Sequence, residues 1–385
     1  MAPTVEFLDG FEYGVLSSAG GGIANAIVGT IGTTIAIETT IVRTGGYSLK
    51  LAPSGAVAAQ FKKTITTRNQ YAGRLYFYVT SLPATSSRLL SHECSNSVDP
   101  TISVNSDGTL QISKVGPVNV GSASPVFTSN EWHRLDYMFD VIGTTHNYLA
   151  RIDGGTEFGG TTASTATNMI NFQFGRSTAD PAMTVYIDDL LLTTLTADYP
   201  LGMGEIRAIR PIADGTHTNP ASFTNDAAAA IGGAGGTAFQ YLDEAPWTTN
   251  RSDYVTQTVA SSTDELRVTF GVSYDAWVIN GVWAWYALDS STTGAFTGGI
   301  ADIYSSTTRS VITSGDWSNN IWEAYSAKVT PNAAPWTNAQ LNALEARMGH
   351  VTAQPANPRW SGIVIQYDMV PRVPKTSPYP QLLAQ

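Results

Sequence analysis

The sequence predicts an all-β protein: two antiparallel, jelly-roll-type β-sandwiches in tandem, with one short helix near the C-terminal end. Three observations carry this. Apolar and polar residues alternate in short runs at a spacing of roughly ten residues. Asp-Gly and Gly-Gly reversals separate those runs, and only one stretch has the signals of a helix.

Taken in order, residues 5–13 mix aromatics with acids and read as an edge strand, and 17–22 are too rich in glycine to be buried. Residues 35–42 and 47–51 form short strands around Gly45-Gly46. In 74–79 Leu75, Phe77 and Val79 share one face while Arg74, Tyr76 and Tyr78 share the other. Residues 101–113 predict a hairpin with Ile102 and Val104 facing Leu110 and Ile112, because Asp107-Gly108 supplies the positive φ of a tight reversal. Further strands follow at 132–139, 148–152 and 172–175.

The organising stretch is 183–194. Met183, Val185 and Ile187 alternate with polar residues, but after Asp188-Asp189 the apolar positions become Leu190 and Leu192, a slip of one residue. A slip of one turns the apolar set toward solvent unless a β-bulge absorbs the extra residue, so a bulge is expected there. The acidic pair reads either as a metal or ligand site at a sandwich rim or as a bulge with two solvated carboxylates.

Pro and two Gly at 198–204 mark a boundary, which places the first sandwich at 1–198 and the second at 199–370. Eight of the nine tryptophans lie in the second half. Strands are expected at 205–210, 266–272, 278–287, 299–304, 321–329 and 362–367, with 227–236 a loop. Thr337 and Gln340 form a capping box, Leu341, Leu344 and Met348 share a helical face and Gly349 is a stop signal, so a helix is expected at 337–348. Residues 371–385 are Pro-rich and read as an extended arm that orders on a partner.

Charged residues make up 14% of the chain, well below the roughly 25% of ordinary soluble domains. A net charge of −10 argues against a nucleic-acid surface, which needs clustered Lys and Arg. The single cysteine, Cys94, excludes an intramolecular disulfide and a thiolate metal cage. The first ten residues lack the basic and apolar pattern of a secretory signal, and no run approaches the ~18 apolar residues of a spanning helix. A soluble product made in a cytosol, with no membrane insertion, is the expectation.

Several motifs carry a likeness. The first half resembles the concanavalin A-like and laminin-G-like lectin sandwiches through residues 46–51, 130–135, 150–154, 174–175 and 185–190. The second half is similar to accessory structural proteins of tailed bacteriophage virions through residues 209–216, 241–247, 253–255 and 335–338. The resemblance implies a virion protein, made in the host cytoplasm, that packs on other virion proteins and on copies of itself. It would serve as a minor tail or adhesion protein that presents a lectin-like surface to host glycans, or alternatively decorate the capsid.

Lectin-like sandwiches also host glycosidases, so a carbohydrate-active enzyme is a rival, and a free lectin-like module is a third reading. Two acids on one strand face must be one residue apart, and no strand offers that with flanking aromatics. The five histidines are scattered, with His133 in phase with Leu135, Tyr137 and Phe139 and so at the core edge. Gly232–Gly236 lacks the Lys-Ser/Thr of a phosphate loop, and Cys94 has no paired histidine. No catalytic residue, cofactor or metal is therefore expected, and the chain is read as non-enzymatic. Trp283 and Trp285 share a strand face and are assigned to the core. Trp247, Trp317 and Trp336 lie beside turn residues and are the candidate contact surface.

Overall fold

Strand pairing converts the period-two runs into two separate sandwiches. The computed structural model describes residues 5–12, 14, 16, 26–28, 33–53, 57–96, 100–114, 118–176, 180–232, 236–242, 253–258, 264–271, 276–290, 299–305, 308–313, 323–329, 336–350 and 358–371. Among them one unit spans 5–12 and 26–206, and the other spans 207–371 with residues 14 and 16. The changeover at Ile206 and Arg207 lies past the boundary expected at 198. The reason is that 199–206 are tied to the first sandwich: the Gly202 amide donates to Asp136 at 3.0 Å and the Ile206 amide to Asp189.

The first unit holds an eight-stranded sheet that runs Phe158–Ala163, Thr145–Ile152, Trp132–Asp140, Gln70–Val79, Val185–Thr193, Ser48–Leu51, Ile35–Glu38, with Val5–Asp9 also on Val185–Thr193. Facing it is a seven-stranded sheet that runs Val118–Asn119, Leu110–Lys114, Thr101–Val104, Ser87–Cys94, Met169–Arg176, Ala59–Arg68, Ala26–Val28. Leu75, Phe77, Leu135, Tyr137, Phe172, Phe174 and Ile187 are all 0% exposed between the sheets, each contributing about 1.5–3 kcal/mol by leaving water. Gly73 is required in this core because a Cβ there would overlap the Tyr137 ring.

His92 is a polar group inside that core. Its Nε2 lies 3.0 Å from the Tyr137 hydroxyl, while the rings of Tyr71, Tyr137, Phe139 and Phe172 surround it at 5.3 to 5.7 Å. Its Nδ1 has no hydrogen-bond partner, and burial pushes its pKa down to about 3.

The expected hairpin forms with Ile102 opposite Ile112 and Val104 opposite Leu110, and Gly108 takes φ +79° in its turn. The expected bulge forms as well. Asp188 pairs with Tyr76 and Leu191 with Arg74, so Asp189 and Leu190 together oppose Leu75, with Asp189 at φ +48°. This restores Leu192 to the core, opposite Gly73.

In the second unit the main path of a six-stranded sheet runs Phe223–Asn225, Val255–Gln257, Pro358–Pro371, Ala276–Ser290, Glu323–Val329. A five-stranded sheet runs Ala213–Asp214, Leu266–Thr269, Leu344–His350, Gly299–Ser305, Thr308–Thr313. The helix expected at 337–348 is corrected. Its capping box is present, but the helix is only Asn338–Asn342, and Leu344–His350 is a strand. Leu344, Ala346 and Met348 are buried while Glu345 and Arg347 point the other way, toward Arg267 and Glu265, and two-sided pairing outweighs the helical spacing of Leu341, Leu344 and Met348. The extended arm expected at 371–385 lies outside the described residues beyond Pro371. No helix among the described residues is long and apolar enough to cross a membrane.

Candidate functional site

Of the three tryptophans chosen from sequence as a contact surface, one lies among the described residues. Trp247 and Trp317 lie outside the described residues. Trp336 is corrected: it is 7% exposed, its backbone bridges Ile279, and it belongs to the apolar core of the second unit. Proximity to Pro335 in the sequence therefore did not mean exposure. Trp283 is buried, but on the strand face opposite Val282, Ala284 and Tyr286, which face the other sheet, and the side chain of Trp285 is outside the described set.

The acidic pair at the bulge is neither open nor solvated, since Asp188 and Asp189 are both 0% exposed. Asp188 accepts the amides of Arg43 at 3.0 Å, Thr44 at 3.4 Å and Asp189 at 2.8 Å. Asp189 pairs with the Arg43 guanidinium and accepts from the Thr44 hydroxyl at 2.8 Å and the Ile206 amide. Arg43 in turn lies 3.3 Å from the Tyr76 ring centroid and donates to the Gly204 carbonyl at 3.0 Å. Burial and the charge of Asp189 push Asp188 well up, and burial pushes Asp189 up against the pull of Arg43. These carboxylates bind the chain to itself and leave no face for a ligand.

Beside this knot, the outer face of the eight-stranded sheet carries an ordered row. Register puts Trp132 opposite Tyr78, Tyr78 opposite Tyr186, and Tyr186 opposite Lys50, one residue from each of four adjacent strands. The Trp132 and Tyr78 rings are 5.7 Å apart, Tyr78 and Tyr186 are 5.8 Å apart, and the Lys50 Nζ stands 5.6 Å from the Tyr186 ring. The rings meet at 59° and 88°, so the row shows both faces and edges. Trp132, Tyr78 and Lys50 are half-buried and Tyr186 is 5% exposed.

The Lys50 amine is fixed by Glu38 at 3.3 Å. Burial lowers its pKa, but Glu38 and Tyr186 outweigh that and hold it above the ordinary value. Burial would raise Glu38, yet donors from Thr40 and Thr39 and the bond to Lys50 bring it to about 2.

On the opposite sheet the outer face is a polar lattice. Gln60 donates to Gln173 at 2.8 Å, Gln173 and Asn171 donate to Glu93 at 2.8 and 3.0 Å, and Lys62 pairs with Glu93. These groups largely satisfy one another. His133 sits at the core edge between Phe77 and Phe127, its Nδ1 2.7 Å from Asp153 and its Nε2 2.7 Å from the Thr128 carbonyl. Among the described residues, no group of three His, Cys, Asp or Glu side chains could hold a metal ion.

No known protein family and no curated protein matches this sequence. Several solved structures are similar to part of it. The cellulose induced protein Cip1 shares 16% identity at a TM-score of 0.38, over 49% of this chain and 98% of its own. Domain 4 of AbnA, a GH43 extracellular arabinanase from Geobacillus stearothermophilus in complex with arabinotriose, shares 20% at 0.33, over 50% and 94%. A sialidase shares 10% at 0.36, over 51% of this chain and 19% of its own, and an alginate lyase of Polysaccharide Lyase family 7 is also similar. The expectation of a chain without enzymatic activity is corrected: the similar structures include a sialidase and an alginate lyase, so the carbohydrate-active enzyme kept as the rival reading is not set aside. Nothing among them points to a virion protein.

Proposed function

We propose that the first sandwich recognises carbohydrate along the row Trp132, Tyr78, Tyr186 and Lys50. The observation that carries this reading is the row itself: three aromatic rings and an amine at steps of 5.7, 5.8 and 5.6 Å on an outer sheet face. Aromatic side chains combine a large apolar area with a polar tip, which suits the apolar ring faces and hydroxyl rims of sugars. The register fixes the spacing through backbone hydrogen bonds, so little ordering is needed on binding.

The test is a glycan array followed by titration of each bound glycan, with the full chain and with Trp132→Ala. Binding by the natural chain and a loss of about tenfold or more in the variant is expected, the scale of one interfacial tryptophan. An array without a bound glycan, or a variant that binds equally well, refutes the reading. Assaying bound glycans for newly released reducing ends shows whether recognition serves turnover. Attachment to a virion is a separate proposal supported by the sequence resemblance of the second half, and detection of the chain in purified particles tests it.

A further inference from the structure

We infer that the row takes an acidic glycan, one whose sugar carboxylate is held by the Lys50 amine while its rings lie along the half-buried Tyr78 and Trp132, with Tyr186 enclosed between them and Lys50. This rests on the proposal that the row binds carbohydrate, and names the class of sugar. Four observations support it.

First, Lys50 is part of the row and not a bystander, since it pairs in register with Tyr186 and its Nζ continues the same step of 5.6 Å. Second, the amine has donor capacity left. Of its three N–H groups one goes to Glu38 at 3.3 Å, and the side chain is 31% exposed.

Third, Glu38 is already saturated. One of its oxygens accepts from the Thr39 amide at 2.9 Å, the Thr40 amide at 3.1 Å and the Thr40 hydroxyl at 2.9 Å, so it positions the amine while its own charge is spread over four donors. Fourth, the neighbouring cations on this face are closed. Arg43 is paired with Asp189 and stacked on Tyr76, and Arg134 is paired with Asp136 at 2.8 Å. In a chain of net charge −10, an amine that is paired on one side yet 31% exposed, against 19% for Arg43 and 12% for Arg134, is the cation at the end of the aromatic row that can meet an anion.

The experiment titrates the full chain with polygalacturonate and with its fully methyl-esterified form, which keeps the sugar rings and removes the charge. The natural chain is expected to prefer the acid by about tenfold, the scale of one charge-assisted hydrogen bond at a half-exposed site. Lys50→Met should bind both polymers equally, Lys50→Arg should keep the preference, and Trp132→Ala should weaken both. Protection of Cys94 from a thiol reagent verifies that each variant is folded.

Equal binding of the two polymers by the natural chain, or a preference that survives in Lys50→Met, overturns the inference and leaves the carbohydrate reading standing. Failure to bind either polymer by a chain that binds neutral glycans on the array overturns it too. A chain that binds no glycan at all overturns both.

Discussion

Replacing His92 by Phe should flatten the acid sensitivity of the first sandwich. His92 is wholly buried and its pKa is pushed down to about 3, whereas in the unfolded chain it takes up a proton near 6.5. Between those values the unfolded state binds the extra proton, so this residue's contribution is complete above pH 6.5 and is lost as pH falls toward 3. At pH 5 the gap to 6.5 is 1.5 units, and at 1.36 kcal/mol per unit the loss relative to pH 7 is about 2 kcal/mol. The figure depends on the folded value only if that value lies above about 4.

Cys94 provides the assay. It is the one cysteine of the chain, is 2% exposed, and ends the strand that carries His92, so a thiol-labelling pulse during a urea titration reports opening of this sandwich alone. The natural chain should lose about 2 kcal/mol more than His92→Phe between pH 7 and pH 5, with the other titrating groups cancelling in the difference. Identical losses in the two proteins, or a His92 ring that titrates near 6 by NMR, would refute the reasoning.

Gly73→Ala should destabilise the same sandwich by about 1–3 kcal/mol, since the new methyl enters the space of the Tyr137 ring in a packed core, and the Cys94 titration measures it. Arg43→Met should cost about 3 kcal/mol, because it strips Asp189 of its ion-pair partner at 0% exposure, and a change under about 1 kcal/mol would show that the knot at the bulge is structurally idle.

The parts of this molecule that are local in sequence were legible there. The slip after Asp188-Asp189 predicts the bulge because the side-chain period of a strand leaves no other way to keep Leu192 inside. The capping box of Thr337 and Gln340 predicts a helix start for the same reason, since its bonds span three residues. The helix length was not legible: Leu341, Leu344 and Met348 fit a helical face, while Leu344, Ala346 and Met348 fit a strand, and only the neighbouring strands decide between them. The aromatic row was out of reach for a related reason. The outward phase of Tyr76 and Tyr78 could be read from their own strand, but Lys50, Trp132 and Tyr186 come from three others, and no motif encodes which register level they share. The solvated acidic pair failed because the donors that bury it, from Arg43, Thr44 and Ile206, are distant in the chain.

Because every member of the row is supplied by a different strand, each can be exchanged singly without lengthening a loop or moving a backbone. A lineage built on this scaffold would diversify by point replacement, trading one letter at a time at positions 50, 78 and 132 around the nearly enclosed Tyr186. The same property makes those three positions a compact library for selecting new binders, with the sandwich beneath them left untouched.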